Sequence, residues 1–188
     1  MSFLLQYYYS WILDHVDAMH RREQRFFTFT HMADLTHNNQ WNAANADRPL
    51  VELLEALFAR NLTRNTLIVV FADHGIRFGK LRRTRSGQIE ERLPFIYVYV
   101  PPLFTSVKEV VSSSHQSLSW RKARAALRLN AHRLTCHFDL HATLRHIAEG
   151  RAPKDEKFGR SLLEPIFEQR SCESAGISEH WCLCSQYA

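Results

Sequence analysis

An aspartate, a histidine and a glycine directly after an apolar run are the residues of this chain best suited to chemistry. The run is Leu67 to Ala72, and Asp73, His74 and Gly75 follow it. In open α/β sheets, ligands bind beyond the carboxyl ends of the strands, where side chains leave the packed layer and can converge. A carboxylate with an imidazole suits Zn or Mn, whereas Ca prefers oxygen ligands alone. We therefore predict that Asp73 and His74 bind a divalent metal ion, with its identity left open among Zn, Mn and Ca.

The same tripeptide also has a purely structural interpretation. Asp73 can accept hydrogen bonds within a turn, and Gly75 can supply a positive φ that other residues avoid. Two ligands also make only half of a metal site. The tripeptide by itself leaves both interpretations open, so its surroundings in the sequence have to decide between them.

A further histidine, His37, follows a segment predicted as a strand over residues 25–31. If that strand lies parallel to the strand before Asp73, the loops after both strands open on the same edge of the sheet. His37 is then expected to approach Asp73 and His74, where an imidazole can bind an anionic substrate or assist a leaving group. Asp34 is a weaker candidate ligand, because capping of its own loop is the favoured interpretation.

Arginines are concentrated in the loop Arg82-Arg83-Thr84-Arg85-Ser86-Gly87-Gln88. Guanidinium groups match the oxygens of phosphate and sulfate in bidentate geometry. We predict that Arg85 contributes to binding an anionic ester, while Glu90 or Glu91 pairs with a neighbouring arginine as part of the scaffold. A solvated basic surface is the alternative interpretation of these residues.

Apolar residues at helical spacing predict three helices around these candidates. They cover residues 3–22, a segment from an N-cap at Asp47 through Pro49 to about Asn61, and residues 135–149, with Gly150 as the stop. Serines between positions 112 and 119 are typical of a loop between helical segments.

Three strands are predicted, over residues 25–31, 66–72 and 94–100, with a long charged loop at 73–92. The continuous β-branched run before Asp73 is typical of a strand covered on both faces. A strand, a helix and a strand in that order indicate a βαβ unit. We therefore predict an α/β fold with a mostly parallel sheet flanked by helices over residues 1–150, and a loop-rich, cysteine-containing tail over residues 151–188 packed on it.

The composition is that of a globular protein: 188 residues, of which 45% are hydrophobic and 23% charged, with a formal net charge of +5. No nucleic-acid recognition module is visible, so the excess of basic residues does not indicate a nucleic-acid partner. No apolar stretch approaches the roughly 18 residues needed to cross a bilayer.

Four cysteines indicate an oxidising compartment, with three of them, Cys172, Cys182 and Cys184, near the end of the chain and Cys136 before them. Two disulfides are expected, and the sequence does not choose among the three possible pairings. A zinc site is the alternative, although it lacks a paired Cys-x-x-Cys framework. The sequon at Asn61 supports a glycoprotein that is extracellular or in the lumen of the secretory pathway. Because Met1 is not followed by a signal peptide, we expect a targeting signal outside this chain.

The flanking residues resemble the sulfatase and alkaline phosphatase superfamily, and are most similar to the animal proteins grouped as domain of unknown function 229. The similarity covers most of the chain, and the residues that carry it are Asn65 to Gly79, Gly87, Glu90 to Pro94, Arg133 to Thr135, Phe138 to Leu144, Gly159 to Leu162 and His180 to Cys184.

In that superfamily a metal-bound Ser, Thr or modified Cys attacks the sulfur or phosphorus of an ester, and the metal polarises the oxyanion and activates the nucleophile. The resemblance implies that Asp73 and His74 are metal ligands and that His37 binds substrate. Two-metal members carry an Asp and a His four residues apart where Asp34 and His37 are three apart, which puts a second metal in doubt. The substrate lysine of sulfatases falls near Thr84 or Arg85, so its role does not carry over.

Superfamily members place the first metal ligand and the nucleophile on strands well before the helix that corresponds to residues 3–22. We therefore expect this chain to be the C-terminal part of a sulfatase-like hydrolase of sulfate or phosphate esters, inactive alone. The alternative is a non-catalytic extracellular binding or structural protein that keeps the fold. The sequence does not choose the substrate, the ester type or the oligomeric state.

Overall fold

The structure is a computed structural model, and it describes residues 2–37, 39–102 and 119–183. The chain divides into two compact units, residues 1–68 and residues 69–188. The predicted division separates a sulfatase-like region, residues 1–150, from a cysteine-containing tail, residues 151–188. The two compact units do not test this division, and it stays a prediction.

The first unit is built on two long helices, α1 (Ser2–Arg21) and α3 (Ala44–Ala59), with the short helix α2 (Ala33–Thr36) between them. The apolar faces of α1 and α3 meet in a core formed by Tyr9, Val16, Leu53, Leu57 and Leu62. Burial of such side chains contributes about 1.5–3 kcal/mol each, which explains why the apolar periodicity forms helices here. The prediction of a helix over residues 3–22 is confirmed.

The predicted start of α3 was wrong. A 3-10 turn over Gln40–Ala43 precedes the helix, and the side chain of Asn39 accepts a hydrogen bond from the Trp41 amide at 2.9 Å. Asp47 therefore lies in the first turn of α3 and is not its N-cap. An acidic residue in that turn still stabilises the helix, because it faces the positive end of the helix dipole.

The second unit begins within the strand β1 (Ile68–Phe71) and continues through α4 (Arg85–Arg92), β2 (Ile96–Tyr99), α5 (Trp120–Asn130) and α6 (His137–Glu149). The predicted stop of the last helix is confirmed, because Gly150 caps α6 with a φ of 72°. A positive φ at this position suits glycine, which has no side chain to clash with the preceding carbonyl.

The predicted α/β class with a mostly parallel sheet was wrong. The protein is 49% helical, and β1 and β2 form an antiparallel pair that is the whole sheet among the residues the structure describes. The Ala72 amide donates to the Phe95 carbonyl, and the Gly75 amide donates to the Glu91 carbonyl. Residue numbers therefore increase along one segment where they decrease along the other, as in antiparallel pairing. The chain thus folds back after β1 and does not cross over to a parallel neighbour.

Three local predictions that accompanied the parallel sheet were wrong as well. Residues 25–31 form neither a strand nor a helix, and Phe27 and Phe29 are 73% and 61% exposed. The stretch 73–92 is not one loop, since it contains a 3-10 turn over Leu81–Arg83 and the helix α4. β1 is also only half-buried along its length, whereas a strand covered on both faces was predicted. The predicted serine loop at 112–119 falls almost wholly outside the described residues.

The tail after Gly150 is loop-rich, as predicted, with a single 3-10 turn over Glu179–Trp181 among the residues described there. Cys172 and Cys182 form a disulfide, which confirms part of the prediction for the cysteines. Among the described residues Cys136 has no disulfide partner, and its Sγ donates to the Ala175 carbonyl at 3.4 Å. A second disulfide would need Cys184, which lies outside the described residues, so that part stays a prediction.

Buried polar side chains hold the tail against α5 and α6. We call them the tail clamp, and its members are Asn130, Asp139, Thr143, His146, Ser161 and Arg170. Asp139 is fully buried and accepts hydrogen bonds from the Cys136 and Arg160 amides and from both terminal amines of Arg170, at 2.7 to 2.9 Å.

The remaining members of the clamp bond mainly to the tail backbone. The Asn130 side chain bonds to the carbonyls of Leu162 and Glu164 and to the Ile166 amide. His146 bonds to the Ser161 hydroxyl at 2.8 Å, and burial lowers the pKa of this histidine. Because every one of these side chains has a partner inside the fold, burial of their polar atoms is compensated.

Among the described residues, no helix combines the length and the apolar character that a membrane-spanning segment requires.

Candidate functional site

The end of β1 is held on two sides, which fixes the start of the Asp73-His74-Gly75 segment. The Ala72 amide donates to the Phe95 carbonyl at 3.1 Å, and the Ala72 carbonyl accepts from Nε2 of His137 at 2.9 Å. His137 is the first residue of α6, so that helix positions the strand end. No sequence pattern links His137 to this strand, because the two residues in contact are 65 positions apart.

Gly75 is required by a close approach and not by its backbone angle. Its φ is not positive, so the alternative interpretation in which Gly75 supplies a left-handed turn does not apply. Its amide donates to the Glu91 carbonyl at 3.2 Å, and a Cβ at this position would lie 2.0 Å from the Glu90 carbonyl oxygen. Only a residue without a side chain fits, so Gly75 ties the Asp73-His74 pair to the end of α4.

The two predicted metal ligands face each other. Nδ1 of His74 lies 2.7 Å from the Gly75 carbonyl oxygen, and Nε2 lies 3.3 Å from Oδ2 of Asp73. A carbonyl can only accept, so Nδ1 carries the proton and Nε2 is the atom that faces the carboxylate. The other carboxylate oxygen accepts from the His74 amide at 2.9 Å, which fixes the aspartate rotamer. A proton or a cation between Nε2 and Oδ2 would satisfy this arrangement.

The spacing of these two atoms fits a shared metal ion. Zn bonds of about 2.0–2.2 Å at angles of about 90–110° place two ligand atoms about 2.8–3.5 Å apart. The observed 3.3 Å lies within that range. Metal-ligating histidines also commonly donate their second ring nitrogen to a carboxylate or a carbonyl, as His74 does to Gly75. Within the described residues, no group of three or more His, Cys, Asp or Glu side chains could hold a metal ion.

The other predicted site residues lie in different surroundings. His37 belongs to the first unit, where it ends α2 and donates its amide to the Ala33 carbonyl, with its side chain exposed. Asp34 is part of α2. Arg85 is the first residue of α4 and is exposed. The assignments of His37 and Arg85 to substrate stay predictions.

A concave, basic surface lies beside α4 in the second unit. We call it the arginine basin; its volume is about 600 Å³, and its charged lining consists of Arg77, Arg82, Arg83, Arg92, Glu91 and His180. Arg82 donates from Nε to both oxygens of Glu91, at 3.0 and 3.1 Å, and the Glu91 side chain is only 3% exposed. Arg92 lies over the ring of Trp181, with 5.8 Å to its centroid.

The sequence indicated part of this basin and missed the rest. Arg82 and Arg83 belong to the arginine-rich loop, but Arg77 and His180 were not selected as candidates. The signal for Arg77 is its place between Gly75 and Gly79, where Gly79 has a φ of 81° and turns the chain. No sequence signal brings His180 to the same surface, because it comes from the tail.

The fold and these surfaces define a mainly helical protein with a candidate cation site at the end of a strand and a basic basin beside it. The chain belongs to the family described as protein of unknown function (DUF229), which its sequence matches over residues 4–188. Comparison with curated proteins found no match. Comparison with solved structures also found none.

Proposed function

We propose that this chain is the metal-binding part of a sulfatase-like hydrolase that acts on sulfate or phosphate esters. The observation that carries the proposal is the 3.3 Å approach of His74 Nε2 to Asp73 Oδ2, with Nδ1 held by the Gly75 carbonyl. The family match supports it, because the residues that resemble the superfamily lie within the matched range.

Asp73 and His74 are the residues that would hold the metal. The ion would supply Lewis-acid stabilisation of the charge that develops on an ester oxygen. The protein keeps the two ligands oriented, through the Gly75 carbonyl on the imidazole and the His74 amide on the carboxylate. His37 and Arg85 are proposed to bind the anionic group of the substrate, and no residue of this chain is assigned as the nucleophile.

The test combines metal binding with turnover. Titration of the chain with Mn²⁺ or Zn²⁺ in a calorimeter should show binding, which Asp73→Asn or His74→Gln should abolish. The control pair is Asp155→Asn and His141→Gln, since these are an exposed aspartate and histidine of the same unit that bond to other side chains. Metal binding that is unchanged in Asp73→Asn and His74→Gln would contradict the proposal.

Aryl sulfate and aryl phosphate should not be hydrolysed by this chain with either metal, because only two ligands converge among the described residues. Turnover that survives Asp73→Asn would place the chemistry elsewhere in the chain.

A non-catalytic binding protein is the second candidate function. The observation that favours it is the same half site, together with a basin whose arginines outnumber its single carboxylate. Any longer form of the protein that can be isolated would distinguish the two functions. A form that gains ester hydrolysis dependent on Asp73 supports the hydrolase, and one that binds metal and anions without turnover supports the binding protein.

A further inference from the structure

The arginine basin has more positive charge than its own fold uses. Four arginines line it, and the single carboxylate of the lining is Glu91. That carboxylate is buried against Arg82, so it does not neutralise the open surface. Among the residues the structure describes, neither Arg77 nor Arg83 has a carboxylate within salt-bridge distance. Several guanidinium groups around one cavity with little internal compensation favour an anionic ligand.

Arg82 illustrates how the basin is prepared for a ligand. Its Nε donates to both oxygens of Glu91, and its terminal amines have no acceptor within the described part of the chain. The ion pair therefore fixes the direction of the guanidinium while its remaining donors stay available. A guanidinium held in this way loses little conformational entropy when it binds an oxyanion.

The platform under the arginines is rigid for identifiable reasons. The Thr84 hydroxyl caps α4 by accepting from the Gly87 amide at 3.1 Å. A Cβ on Gly87 would lie 2.0 Å from the Leu81 carbonyl oxygen, so the 3-10 turn that carries Arg82 and Arg83 packs directly on α4. Spacing between the arginines is thereby set by backbone contacts.

The shape of the basin indicates the size of the ligand. A volume of about 600 Å³ is within the range of small-molecule sites. One tetrahedral oxyanion would engage only part of a lining that includes Arg77, Arg82 and Arg83. A compact ligand with several such groups would engage them together.

We propose that the arginine basin binds a compact polyanion that carries two or more neighbouring sulfate or phosphate groups, and that it does so independently of Asp73 and His74. The site thus goes beyond the proposed hydrolase function, since it needs neither metal nor turnover. It uses Arg77, Arg82 and Arg83 and leaves out Arg85, which does not line the basin.

The test compares two basic surfaces of the same unit. Sucrose octasulfate and inositol hexakisphosphate are the probes, titrated calorimetrically against the full chain. The double variant Arg77→Gln/Arg83→Gln should bind about tenfold more weakly or worse, because charge-assisted hydrogen bonds are lost. The matched control is Arg121→Gln/Arg124→Gln on α5, which removes the same charge from another exposed, arginine-lined surface.

Equal weakening in the two double variants would overturn the proposal, since it would mean that the probes respond only to net charge. Equal binding of the wild type and the Arg77/Arg83 variant would overturn it as well. Arg77→Lys/Arg83→Lys keeps the charge but loses the planar fork, so it should also weaken binding. The four exchanged residues are exposed, and circular dichroism checks that each variant is folded.

Two comparisons complete the experiment. Asp73→Asn/His74→Gln should bind the probes as the wild type does, and loss of binding in that variant would show that the basin is not independent. Preference for the sulfated probe over the phosphorylated one, or the reverse, identifies the anionic group that the basin binds more tightly. Failure of the metal titration together with intact probe binding would remove the proposed hydrolase function and leave the basin in place.

Discussion

The tail clamp and the Asp73-His74 pair are both polar clusters of the second unit, and they differ in what surrounds them. Asp139 in the clamp is fully buried and accepts from three different residues. The Asp73 side chain is 64% exposed, and within the described part of the chain its carboxylate bonds only to the neighbouring His74. The polar atoms of the clamp are satisfied by buried partners, whereas the Asp73 carboxylate is largely exposed to solvent.

The difference in burial distinguishes polar residues that stabilise the fold from polar residues that are accessible to a ligand. A buried carboxylate with all its partners inside the chain stabilises one conformation, and removing it leaves other groups unsatisfied. An exposed carboxylate that faces an imidazole contributes little to the free energy of unfolding, so it can bind a ligand without loss of stability. The four predictions that follow test this separation, beginning with the largest expected effect.

Asp139→Ala should lower the free energy of unfolding by about 3–5 kcal/mol, because it leaves the guanidinium of Arg170 buried without its partner. The Arg170 side chain is only 6% exposed, so water cannot replace the lost carboxylate. Urea unfolding followed by circular dichroism measures the change. Asp155→Ala, at an exposed ion pair, is the control and should change stability little. A small change in the free energy of unfolding for Asp139→Ala would contradict the distinction between the tail clamp and the Asp73-His74 pair.

Gly75→Ala should cost about 1–3 kcal/mol, because its Cβ would overlap the Glu90 carbonyl and the backbone would have to shift. It should also abolish metal binding, since Gly75 orients the His74 ring. Gly150→Ala is the matched control: it introduces a strained φ in open space, for about 1 kcal/mol, and should leave metal binding intact. Metal binding by Gly75→Ala at wild-type affinity would contradict the role given to this glycine.

Acid should destabilise the clamp through His146. Burial lowers the pKa of this histidine in the folded state, so the unfolded chain binds more protons below its ordinary pKa of about 6.5. Stability is therefore full above that pH and falls as the pH drops towards the folded pKa. Urea midpoints measured at several pH values should show this slope. In His146→Gln the slope should be shallower, and an unchanged slope would assign the acid sensitivity to other groups.

Asp73→Asn should change the free energy of unfolding by no more than about 0.5 kcal/mol, the usual range for an exposed position. The same substitution is expected to abolish metal binding. The main effect at Asp139 would thus be on the free energy of unfolding, and the main effect at Asp73 would be on metal binding. A loss of stability at Asp73 comparable to that at Asp139 would show that the pair is structural.

The helices were the most predictable part of the fold. α1 and α6 carry apolar residues at helical spacing, and Gly150 marks an end that follows from local chemistry alone. α4 was missed because Ile89 is its only large apolar residue, so no apolar stripe is visible in the sequence. Its one readable signal is Thr84, whose hydroxyl caps the helix.

The prediction of a parallel sheet was wrong because a local sequence pattern does not determine the relative direction of neighbouring strands. The β-branched run of β1 is typical of a buried parallel strand, but its actual neighbour β2 comes from the same chain segment after a reversal. The alternating segment 25–31 suggested a third strand, and alternation alone does not supply a partner.

The candidate site was only partly predictable for the same reason. Asp73 and His74 are adjacent, so their types and the preceding run were enough to select them. The supports of the site come from distant positions: His137 reaches the end of β1 from α6, and His180 joins the basin from the tail. Such contacts depend on tertiary folding, which the sequence pattern does not show.

The central claim is that His74 is available to a cation while His146 is held by the fold. Long-range proton–nitrogen NMR of the imidazole rings during a Zn²⁺ titration tests it most directly. The account predicts that the Nε2 resonance of His74 changes progressively with added metal and that the His146 resonances do not. A His74 ring that does not respond to Zn²⁺, or one that responds no more than the exposed His141, would contradict the account.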